Sequence, residues 1–486
     1  MVAKTFSATH SGVQAQLVQI EAVREEALPA IQITGLPGDV IKESKDRVRG
    51  CLIGLGFQIP TARVVVHLSP AGIKKQGSQL DLAIALAVLA AEQVLDEKTI
   101  RSSCFFGELS LDGRIQPVPG AIALVEAALA NPGVESAFVP AGNPEVALLN
   151  SNKVRKVHSL PELMDFLRGK GALLLPMAPV AEFQGPDFSG PTLDDVRGHR
   201  LAKRALEVAL AGEHHLLLMG PPGVGKSLLA ACARGLLPAP STAEWVDILK
   251  THGHATDQLP QPFTRPFRSP HHSISAGAFL GGGSGTVVPG EVTLAHHGIL
   301  FLDELPEFRR DVLEGLRTPL ENGEIHLHRV HAAINLPARF SLIAAMNPCP
   351  CGFTMDQKRR CLCGPDKARK YQQRVSGPIL DRIDLLAVLT RSDGATENPH
   401  SNEKTRANIK RVHDQRGTPR PYSGSARDLL VKLRANGSHL SHRGIASIQR
   451  LAATIAALED SPTIQTAHLE EAQQLKCPSS IEYFPG

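Results

Sequence analysis

One eight-residue stretch, GPPGVGKS, constrains the fold of this 486-residue chain more than any other feature. It runs from Gly220 to Ser227, follows the apolar run HHLLLM and opens the helical segment SLLAACARGLL. A G-x-x-x-x-G-K-S motif between a strand and a helix is typical of a phosphate-binding P-loop, because its glycines let successive backbone N–H groups face phosphate oxygens. The alternative is a glycine-rich turn that matches the motif by chance, and the strand before it and the helix after it argue against that alternative. The motif therefore predicts a nucleotide site on a parallel α/β sheet.

The residues expected to contact the nucleotide are those of the motif: Gly220, Pro221, Pro222, Gly223, Val224, Gly225, Lys226 and Ser227. We expect the ammonium group of Lys226 to reach the β- and γ-phosphates of ATP. The hydroxyl of Ser227 is expected to bind Mg²⁺. Both assignments follow from the position of each residue at the start of the helix.

Two acidic residues supply the second half of such a site. The apolar segment GILFLDE (298–304) predicts a buried strand that ends in Asp303 and Glu304. We expect Asp303 to reach the metal shell and Glu304 to face the attacking water, since phosphoryl transfer depends mainly on positioning and charge neutralisation. An acidic pair after a strand can also be a solvated turn, but the upstream P-loop favours the catalytic interpretation.

Two polar residues further along the chain are candidates for the same site. Asn347 follows the apolar strand SLIAAM (341–346). Ligands of parallel sheets bind at the carboxyl ends of the strands, so Asn347 could orient the water near the γ-phosphate. Arg382 stands between apolar residues in SGPILDRIDL (376–385). Because an unpaired arginine is not stable in a core, Arg382 either pairs locally, with Asp384 as a candidate, or faces a neighbouring subunit as an arginine finger.

Composition narrows the class of protein. A formal net charge of +4 excludes a chain coated in basic residues, although a local basic channel remains possible. The N-terminus lacks a secretory apolar core, and LAIALAVLAA (82–91) is too short to span a bilayer. Four of the eight cysteines are scattered along the chain: Cys51, Cys104, Cys232 and Cys477. We therefore expect a cytoplasmic protein with no membrane partner.

The apolar patterns divide the chain into blocks. Strand-like and helical runs alternate over 1–168, a Pro- and Gly-rich stretch at 169–191 predicts a linker, and alternation resumes over 192–395. The last block, 396–486, has only helical spacing and predicts a helical bundle. A cysteine-rich insert occupies 347–364 within the third block.

Together, the P-loop, the acidic pair, the polar residues after the strands and the helical block resemble the motifs of the ComM (YifB) family of magnesium-chelatase-like AAA+ ATPases. The stretches that carry the resemblance are GLPGDVIKESKDRVR (35–49), IKKQGSQLDLAIAL (73–86), DDVRGHRLAKRALEVALAG (194–212), RSPHHSISAGAFLGGG (268–283), PGEVTLAHHGILFLDELPEF (289–308), NPCPCGF (347–353) and YQQRVSGPILDRIDL (371–385). The resemblance implies an N-terminal Lon-protease-like domain of the ribosomal-S5 type (α+β), a central AAA+ P-loop domain and a C-terminal helical lid.

The resemblance also implies roles and partners. Asn347 matches sensor 1, Arg382 matches the arginine finger, and Arg443 in LSHRG (440–444) matches sensor 2. The family suggests a homo-hexameric, ATP-driven motor that acts on single-stranded and branched DNA, as a helicase or branch-migration factor in natural transformation. Two positions depart from the family pattern, because Ser447 and Ala453 stand where lid arginines are expected.

The resemblance to Lon raises the possibility of protease activity, but the residues at the catalytic positions argue against it. In the alignment with Lon, Gln79 replaces the nucleophilic serine, with Ser78 one place away, and Leu124 replaces the lysine. A Ser–Lys dyad needs an amine that can deprotonate the hydroxyl, which leucine lacks. We therefore expect a domain without the dyad, which serves assembly or DNA contact.

Four cysteines lie between the sensor 1 and arginine-finger positions: Cys349, Cys351, Cys361 and Cys363. Their C-x-C…C-x-C pattern, with nine residues between the inner pair, suits four thiolates around a structural Zn²⁺. The usual zinc knuckle has two residues between cysteines, so reduced cysteines without a ligand are the alternative.

DNA contact is predicted at the segment GEIHLHRVHAAINLPA (323–338), whose alternation indicates a β-hairpin. In related ring ATPases such a hairpin lines the central pore, where a basic channel can follow a phosphate backbone. The side chains expected to contact DNA are His326, His328, Arg329 and His331. An ordinary solvated hairpin is the alternative. At the level of function, a metal-chelatase-type motor and an ATP-dependent protein remodeller are the alternatives to a DNA motor.

Overall fold

A computed structural model describes residues 2–35, 39–73, 75, 77–170, 188–253, 261–283, 287–329, 332–356, 359–391, 401–435 and 441–478. Most of the predicted linker, 169–191, lies outside these residues.

The strands are β1 (Val2–Ser11), β2 (Gln14–Glu25), β3 (Ala30–Thr34), β4 (Arg63–Ser69), β5 (Ser103–Phe105), β6 (Glu108–Leu109), β7 (Ile115–Gln116), β8 (Ser136–Pro140), β9 (Val154–Val157), β10 (Leu216–Met219), β11 (Phe267–Arg268), β12 (Gly281–Gly282), β13 (Val288–Pro289), β14 (Ile299–Leu302), β15 (Glu324–Arg329), β16 (Ala332–Pro337), β17 (Ser341–Met346) and β18 (Leu385–Val388).

The α-helices are α1 (Asp39–Gly54), α2 (Asp81–Ala91), α3 (Ala121–Leu129), α4 (Leu160–Leu167), α5 (Arg200–Gly212), α6 (Lys226–Leu236), α7 (Thr242–His252), α8 (Ala276–Leu280), α9 (Glu291–Leu294), α10 (Arg310–Gly315), α11 (Arg317–Asn322), α12 (Pro365–Gln372), α13 (Gly377–Leu380), α14 (Asn402–Asp414), α15 (Gly424–Ala435), α16 (His442–Leu458) and α17 (Thr466–Leu475). None of the described helices is long and apolar enough to cross a bilayer.

The chain forms two compact units. The first comprises Met1–Phe183, Thr242–Pro260 and Ser284–Val288, and the remainder, Gln184–Ser241, Gln261–Gly283 and Pro289–Gly486, forms the second. One segment differs from the layout expected from sequence, because α7 packs within the first unit although it follows the P-loop in the chain. The predicted lid helices belong to the same compact unit as the nucleotide-site sheet.

The first unit is built on a seven-stranded mixed sheet in the order β3-β4-β2-β1-β5-β8-β9. The long hairpin β1–β2 is antiparallel, whereas β5, β8 and β9 add in parallel. Every residue of α2 is buried, and this helix packs against β1 and β2. A helix that is apolar on all sides is a core helix when it is this short, which explains the run LAIALAVLAA.

The second unit contains a five-stranded sheet in the order β11-β14-β17-β10-β18, and all of its pairings are parallel. The three central strands are fully buried, as expected for a parallel sheet covered by helices. Helices α5, α6, α14, α16 and α17 contribute to the same hydrophobic core. Because all strands point the same way, the segments that follow β10, β14 and β17 lie at one edge of the sheet.

Candidate nucleotide-binding site

The predicted strand, loop and helix around the P-loop are present. Strand β10 ends at Met219 and helix α6 begins at Lys226. Gly223 and Gly225 have φ angles of 76° and 97°, in the left-handed region where side chains other than glycine are strained. These two glycines therefore allow the tight loop that a phosphate group requires.

Lys226 connects the loop to the neighbouring strand. Its Nζ donates to the carbonyl oxygens of Gly220 (2.7 Å) and Pro221 (2.9 Å) and to Oδ1 of Asn347 (3.0 Å). Burial lowers the pKa of Lys226 to about 8, although the carboxylates of Asp303 and Glu304 act in the opposite direction. The ammonium group therefore keeps its positive charge at neutral pH, next to the amide of Asn347.

Ser227 and Asp303 meet at the same edge. The Ser227 hydroxyl donates to Oδ2 of Asp303 over 2.7 Å, although 76 positions separate the two residues. A hydroxyl and a carboxylate oxygen are hard ligands of the kind that Mg²⁺ prefers together with water and phosphate oxygens. The pair fits a Mg²⁺ site at which both residues bind the ion.

Glu304 has an uncommon backbone conformation and a partner that the sequence analysis did not identify. Its φ of 52° lies in the left-handed region, where residues other than glycine are infrequent and often functional. Nδ1 of His272 lies 3.5 Å from Oε2 of Glu304. His272 falls inside RSPHHSISAGAFLGGG, so the family resemblance already marked its segment without assigning it a role.

Arg382 is paired within its own chain, but not with the candidate partner named above. Nη2 of Arg382 pairs with Oε2 of Glu321 over 2.5 Å, whereas Asp384 accepts hydrogen bonds from Ser447 and Arg450. The backbone oxygens of Arg317 (3.1 Å) and Pro378 (2.8 Å) accept two further hydrogen bonds from this guanidinium. The Arg382 side chain is only 11% exposed.

Arg443 pairs with the same carboxylate. Its Nη2 lies 2.7 Å from Oε1 of Glu321, so the two oxygens of Glu321 serve two arginines. The two side chains that the family resemblance labelled as arginine finger and sensor 2 therefore share one acidic partner. No sequence pattern marked Glu321.

Asp384 has a different role, in the packing of α16. Oδ1 of Asp384 accepts hydrogen bonds from Ser447 (2.6 Å) and Arg450 (2.9 Å), and Oδ2 accepts one from the backbone N–H of His215 (3.2 Å). Burial opposes ionisation, but the nearby imidazoles and these donors lower the pKa of Asp384 to about 2. Ser447, which stands where the family pattern has an arginine, therefore links α16 to the residue that precedes strand β18.

The four clustered cysteines converge. The Sγ atom of Cys349 lies 3.4 Å from that of Cys351 and 3.7 Å from that of Cys361, and all four Sγ atoms lie within 4.8 Å of one another. A tetrahedral zinc site with Zn–S bonds of about 2.3 Å has sulfur–sulfur distances of about 3.8 Å. None of the four is in a disulfide. The cluster is compatible with a bound Zn²⁺.

This cysteine loop contacts the P-loop. Gly352 lies so close to Pro222 that a Cβ atom added to it would be 2.5 Å from Cδ of Pro222. Arg391 donates from Nη2 to the carbonyl oxygen of Pro222 (3.0 Å) and pairs through Nε with Asp356 of the loop (3.0 Å). Arg391, which the sequence analysis did not consider, therefore bridges the two loops.

The predicted hairpin is present, with β15 antiparallel to β16 and Glu324 opposite Pro337. His326 is exposed on it, and its Nδ1 lies 2.8 Å from Oδ1 of Asn335. The side chains of the other three residues predicted to contact DNA lie outside the described part: His328, Arg329 and His331. Their role stays a prediction.

In the first unit, the two positions aligned with the Lon dyad are buried. Gln79 is 3% exposed and Leu124 is fully buried. Lys75, to which the sequence patterns assigned no role, is also buried, and its ammonium donates to the carbonyl oxygens of Pro70 and Gly35. Burial lowers the pKa of Lys75, and its described hydrogen bonds go to these two backbone carbonyl groups.

Three family models match successive parts of the chain. The model described as magnesium chelatase, subunit ChlI, covers residues 192–396. The model of subunit ChlI of Mg-chelatase covers 20–143, and that of the magnesium chelatase subunit ChlI C-terminal region covers 405–476. Together they extend over both the first unit and the nucleotide site.

Among curated proteins, the uncharacterized protein YifB of Salmonella typhimurium is 38% identical over 493 residues, which cover 95% of this chain and 94% of YifB. Competence protein ComM of Haemophilus influenzae is 37% identical over 496 residues, 97% of this chain and 96% of ComM. Lon protease 2 of Bacillus subtilis is 31% identical over 198 residues, 35% of each chain. The likeness to Lon is therefore partial.

Proposed function

Since the chain belongs to the YifB and ComM family of magnesium-chelatase-like proteins, we propose that it is an AAA+ ATPase that uses ATP hydrolysis to move DNA strands at branched recombination intermediates. The observation that carries the ATPase part is the meeting of Lys226, Ser227, Asp303 and Asn347 at one edge of the parallel sheet. The DNA part rests on the name of the competence relative and on the hairpin β15–β16.

The chemistry of the ATPase follows from the charges at this edge. The cationic Lys226, which now bonds carbonyl groups and Asn347, exchanges these acceptors for oxygens of the β- and γ-phosphates when ATP binds. Mg²⁺, held by Ser227 and Asp303, would neutralise phosphate charge. Glu304 accepts the proton of the attacking water, and Asn347 orients that water. Nδ1 of His272, 3.5 Å from Oε2 of Glu304, would orient this carboxylate.

We further propose that the site is shared between subunits of a hexamer. The described hydrogen bonds of Arg382 go to α11 and α13, and none goes to the P-loop or to Asp303 and Glu304. We therefore assign this guanidinium to a neighbouring P-loop, which it reaches only after it leaves these acceptors. Its positive charge would meet the charge that develops on the γ-phosphate, an effect worth about 10³-fold or more in related phosphoryl transfers.

A structural Zn²⁺ in the cysteine loop completes the proposal. The sulfur separations of 3.4–3.7 Å suit tetrahedral thiolate ligation. A loop with little apolar core of its own gains rigidity from such an ion. Because Gly352 and Arg391 link this loop to Pro222, the ion would also stiffen the support of the P-loop.

The decisive experiment mixes two inactive subunits. Arg382→Ala should bind ATP normally but hydrolyse it about 10³-fold more slowly, because the developing phosphate charge lacks its second cation. Added Lys226→Ala subunits, which lack the P-loop lysine but keep the arginine, should restore part of the turnover. Arg309→Ala, which removes an exposed arginine paired with Asp311, is the matched control and should leave turnover unchanged. Wild-type turnover by a monomeric Arg382→Ala chain would refute the shared site.

DNA movement is tested on labelled three- and four-stranded junctions. We expect ATP-dependent conversion of these junctions and an increase of ATP turnover by single-stranded DNA. The family models named after magnesium chelatase favour one alternative, a motor that drives metal insertion. A hexamer that hydrolyses ATP, does not respond to DNA and leaves every junction unchanged would support that alternative.

A further inference from the structure

Glu321 lies next to the start of the hairpin β15–β16. It lies on the short helix α11, two residues before Gly323, whose φ of 71° reverses the chain into strand β15. The N–H of Gly323 donates to the oxygen of Pro319 (2.9 Å), and the oxygen of Gly323 accepts from the N–H of Ala338 (2.7 Å). Helix α11 and both ends of the hairpin are therefore joined by backbone hydrogen bonds, so a displacement of the hairpin acts on α11.

The carboxylate of Glu321 binds two arginines. Its Oε2 binds Arg382 and its Oε1 binds Arg443, and α11 supplies a second acceptor for Arg382, the carbonyl oxygen of Arg317. Helix α11 thus provides two of the three acceptors described for the proposed arginine finger. These two arginines, 61 positions apart in the chain, are held by one carboxylate at the base of the hairpin.

A carboxylate and a phosphate compete for the same N–H groups. A guanidinium presents a fixed fork of donors, and donors bound to a carboxylate are not available to a γ-phosphate. The arginines must therefore leave Glu321, at least in part, before they can meet the charge that develops during hydrolysis. The two positive charges in turn lower the pKa of Glu321, with Arg382 as the main cause, so the carboxylate remains ionised at neutral pH.

We propose that Glu321 is a positioning residue that couples the hairpin to the nucleotide site. With no DNA on the hairpin, Glu321 holds Arg382 and Arg443 back from the nucleotide. DNA on the hairpin shifts α11, weakens both ion pairs and releases the arginines. This inference rests on the proposed function, and it assigns the response to DNA to one carboxylate.

The test is Glu321→Gln, which keeps the side-chain length but removes the charge that holds two guanidinium groups. We expect turnover without DNA to rise about three- to tenfold, the scale of two weakened ion pairs. The ratio of turnover with and without single-stranded DNA should fall to about one. The affinity for a fluorescent ATP analogue should not change, since the P-loop is untouched.

Glu314→Gln is the matched control. Glu314 lies one helix earlier and pairs through Oε2 with the side chain of Arg317 (3.2 Å), and no described ion pair joins Glu314 to Arg382 or Arg443. This variant should keep the basal turnover and the DNA response of the wild type. Should Glu321→Gln not fold, Glu321→Asp replaces it, because its carboxylate is one methylene shorter and cannot reach both arginines. The same direction of change is expected.

The outcomes separate this inference from the proposed function. A Glu321→Gln chain with unchanged basal turnover and a normal response to DNA overturns the inference. A chain with reduced basal turnover also overturns it, because Glu321 would then support the arginines rather than restrain them. If DNA does not stimulate the wild type, the DNA-motor proposal fails, while the basal rate of Glu321→Gln still tests the restraint.

Discussion

Polar side chains are placed differently at the nucleotide site and at the first-unit positions aligned with the Lon dyad. Ser227 and Glu304 are exposed at the sheet edge, and Asp303 is partly exposed. In the first unit, Gln79 at the aligned serine position is buried, and so is Asp81 two positions further along the chain. Asp81 is held there by Nε of Arg47 (2.9 Å) and by the backbone of Leu109.

The difference teaches how to distinguish reactive from structural carboxylates. A carboxylate that must act on water needs access to solvent and a distant partner, as Glu304 has with His272 at 3.5 Å. A buried group with short fixed bonds, such as Asp81, stabilises packing, since breaking those bonds would leave an unpaired charge. The two positions aligned with the Lon dyad are therefore packed inside the first unit, whereas Ser227 and Glu304 lie at an exposed edge of the second.

The largest expected effect lies at the nucleotide site. Lys226→Ala should abolish ATP turnover, because the phosphates lose their main positive charge from this subunit. Glu304→Gln should lower turnover by about a hundredfold or more while ATP remains bound, since a general base typically contributes that much. Steady-state hydrolysis and nucleotide retention after gel filtration measure the two effects.

A nearby acid provides the control for Glu304. Glu307→Gln removes a carboxylate that pairs at the surface with Arg374 (2.9 Å), and its turnover should stay close to that of the wild type. Normal hydrolysis by Glu304→Gln would contradict the assignment of the site and the comparison built on it.

An intermediate effect is expected at the cysteine loop. Cys361→Ser should reduce the zinc content from about one ion per chain to nearly none, because three thiolates hold the ion less well than four. The ATP dissociation constant should rise roughly two- to fivefold, the scale of one weakened hydrogen bond between Arg391 and Pro222. Elemental analysis and nucleotide titration give these values.

Cys51→Ala is the control for the cysteine loop, since Cys51 is buried in the first unit and belongs to no cluster of ligands among the described residues. The Cys51→Ala protein should keep about one zinc ion per chain. Wild-type protein purified without chelator that contains no metal and has four freely reactive thiols in the loop would rule out the zinc site.

The smallest expected effect lies in the first unit. Casein and model peptides should not be cleaved, with or without ATP, because Leu124 stands where an amine is needed. Ser78→Ala should leave ATP turnover unchanged within error. ATP-stimulated cleavage that is lost in Ser78→Ala would show that the two units differ less than the structure indicates.

Features with local causes could be predicted from sequence. The P-loop, the buried strands β10, β14 and β17, the helix α2 and the hairpin β15–β16 were all visible as patterns of adjacent residues. Glycine conformations and apolar periodicity act over a few residues, so the printed order of residues is sufficient for them. The family resemblance, now confirmed, rests on the same local motifs.

Features that depend on distant partners could not be predicted. Asp384 is a candidate local partner of Arg382 in the sequence, because it is two positions away, whereas the structure places Glu321 there. Ser447 differs from the family pattern in the sequence, and only the structure shows that its hydroxyl binds the buried Asp384. Proximity in sequence says little about which charges meet when helices from separate segments pack on one sheet.

By itself, the sequence determined that this chain has a P-loop motif between a strand and a helix of a parallel sheet, because local glycine geometry and strand burial require nothing further. Only the tertiary structure decided that α7 packs with the first unit, that Arg391 bridges the P-loop and the cysteine loop, and that Glu321 holds two arginines. The physical reason is that ion pairs and hydrogen bonds form over about 3 Å in space. The strand order and helix packing that bring such groups together are properties of the whole folded chain.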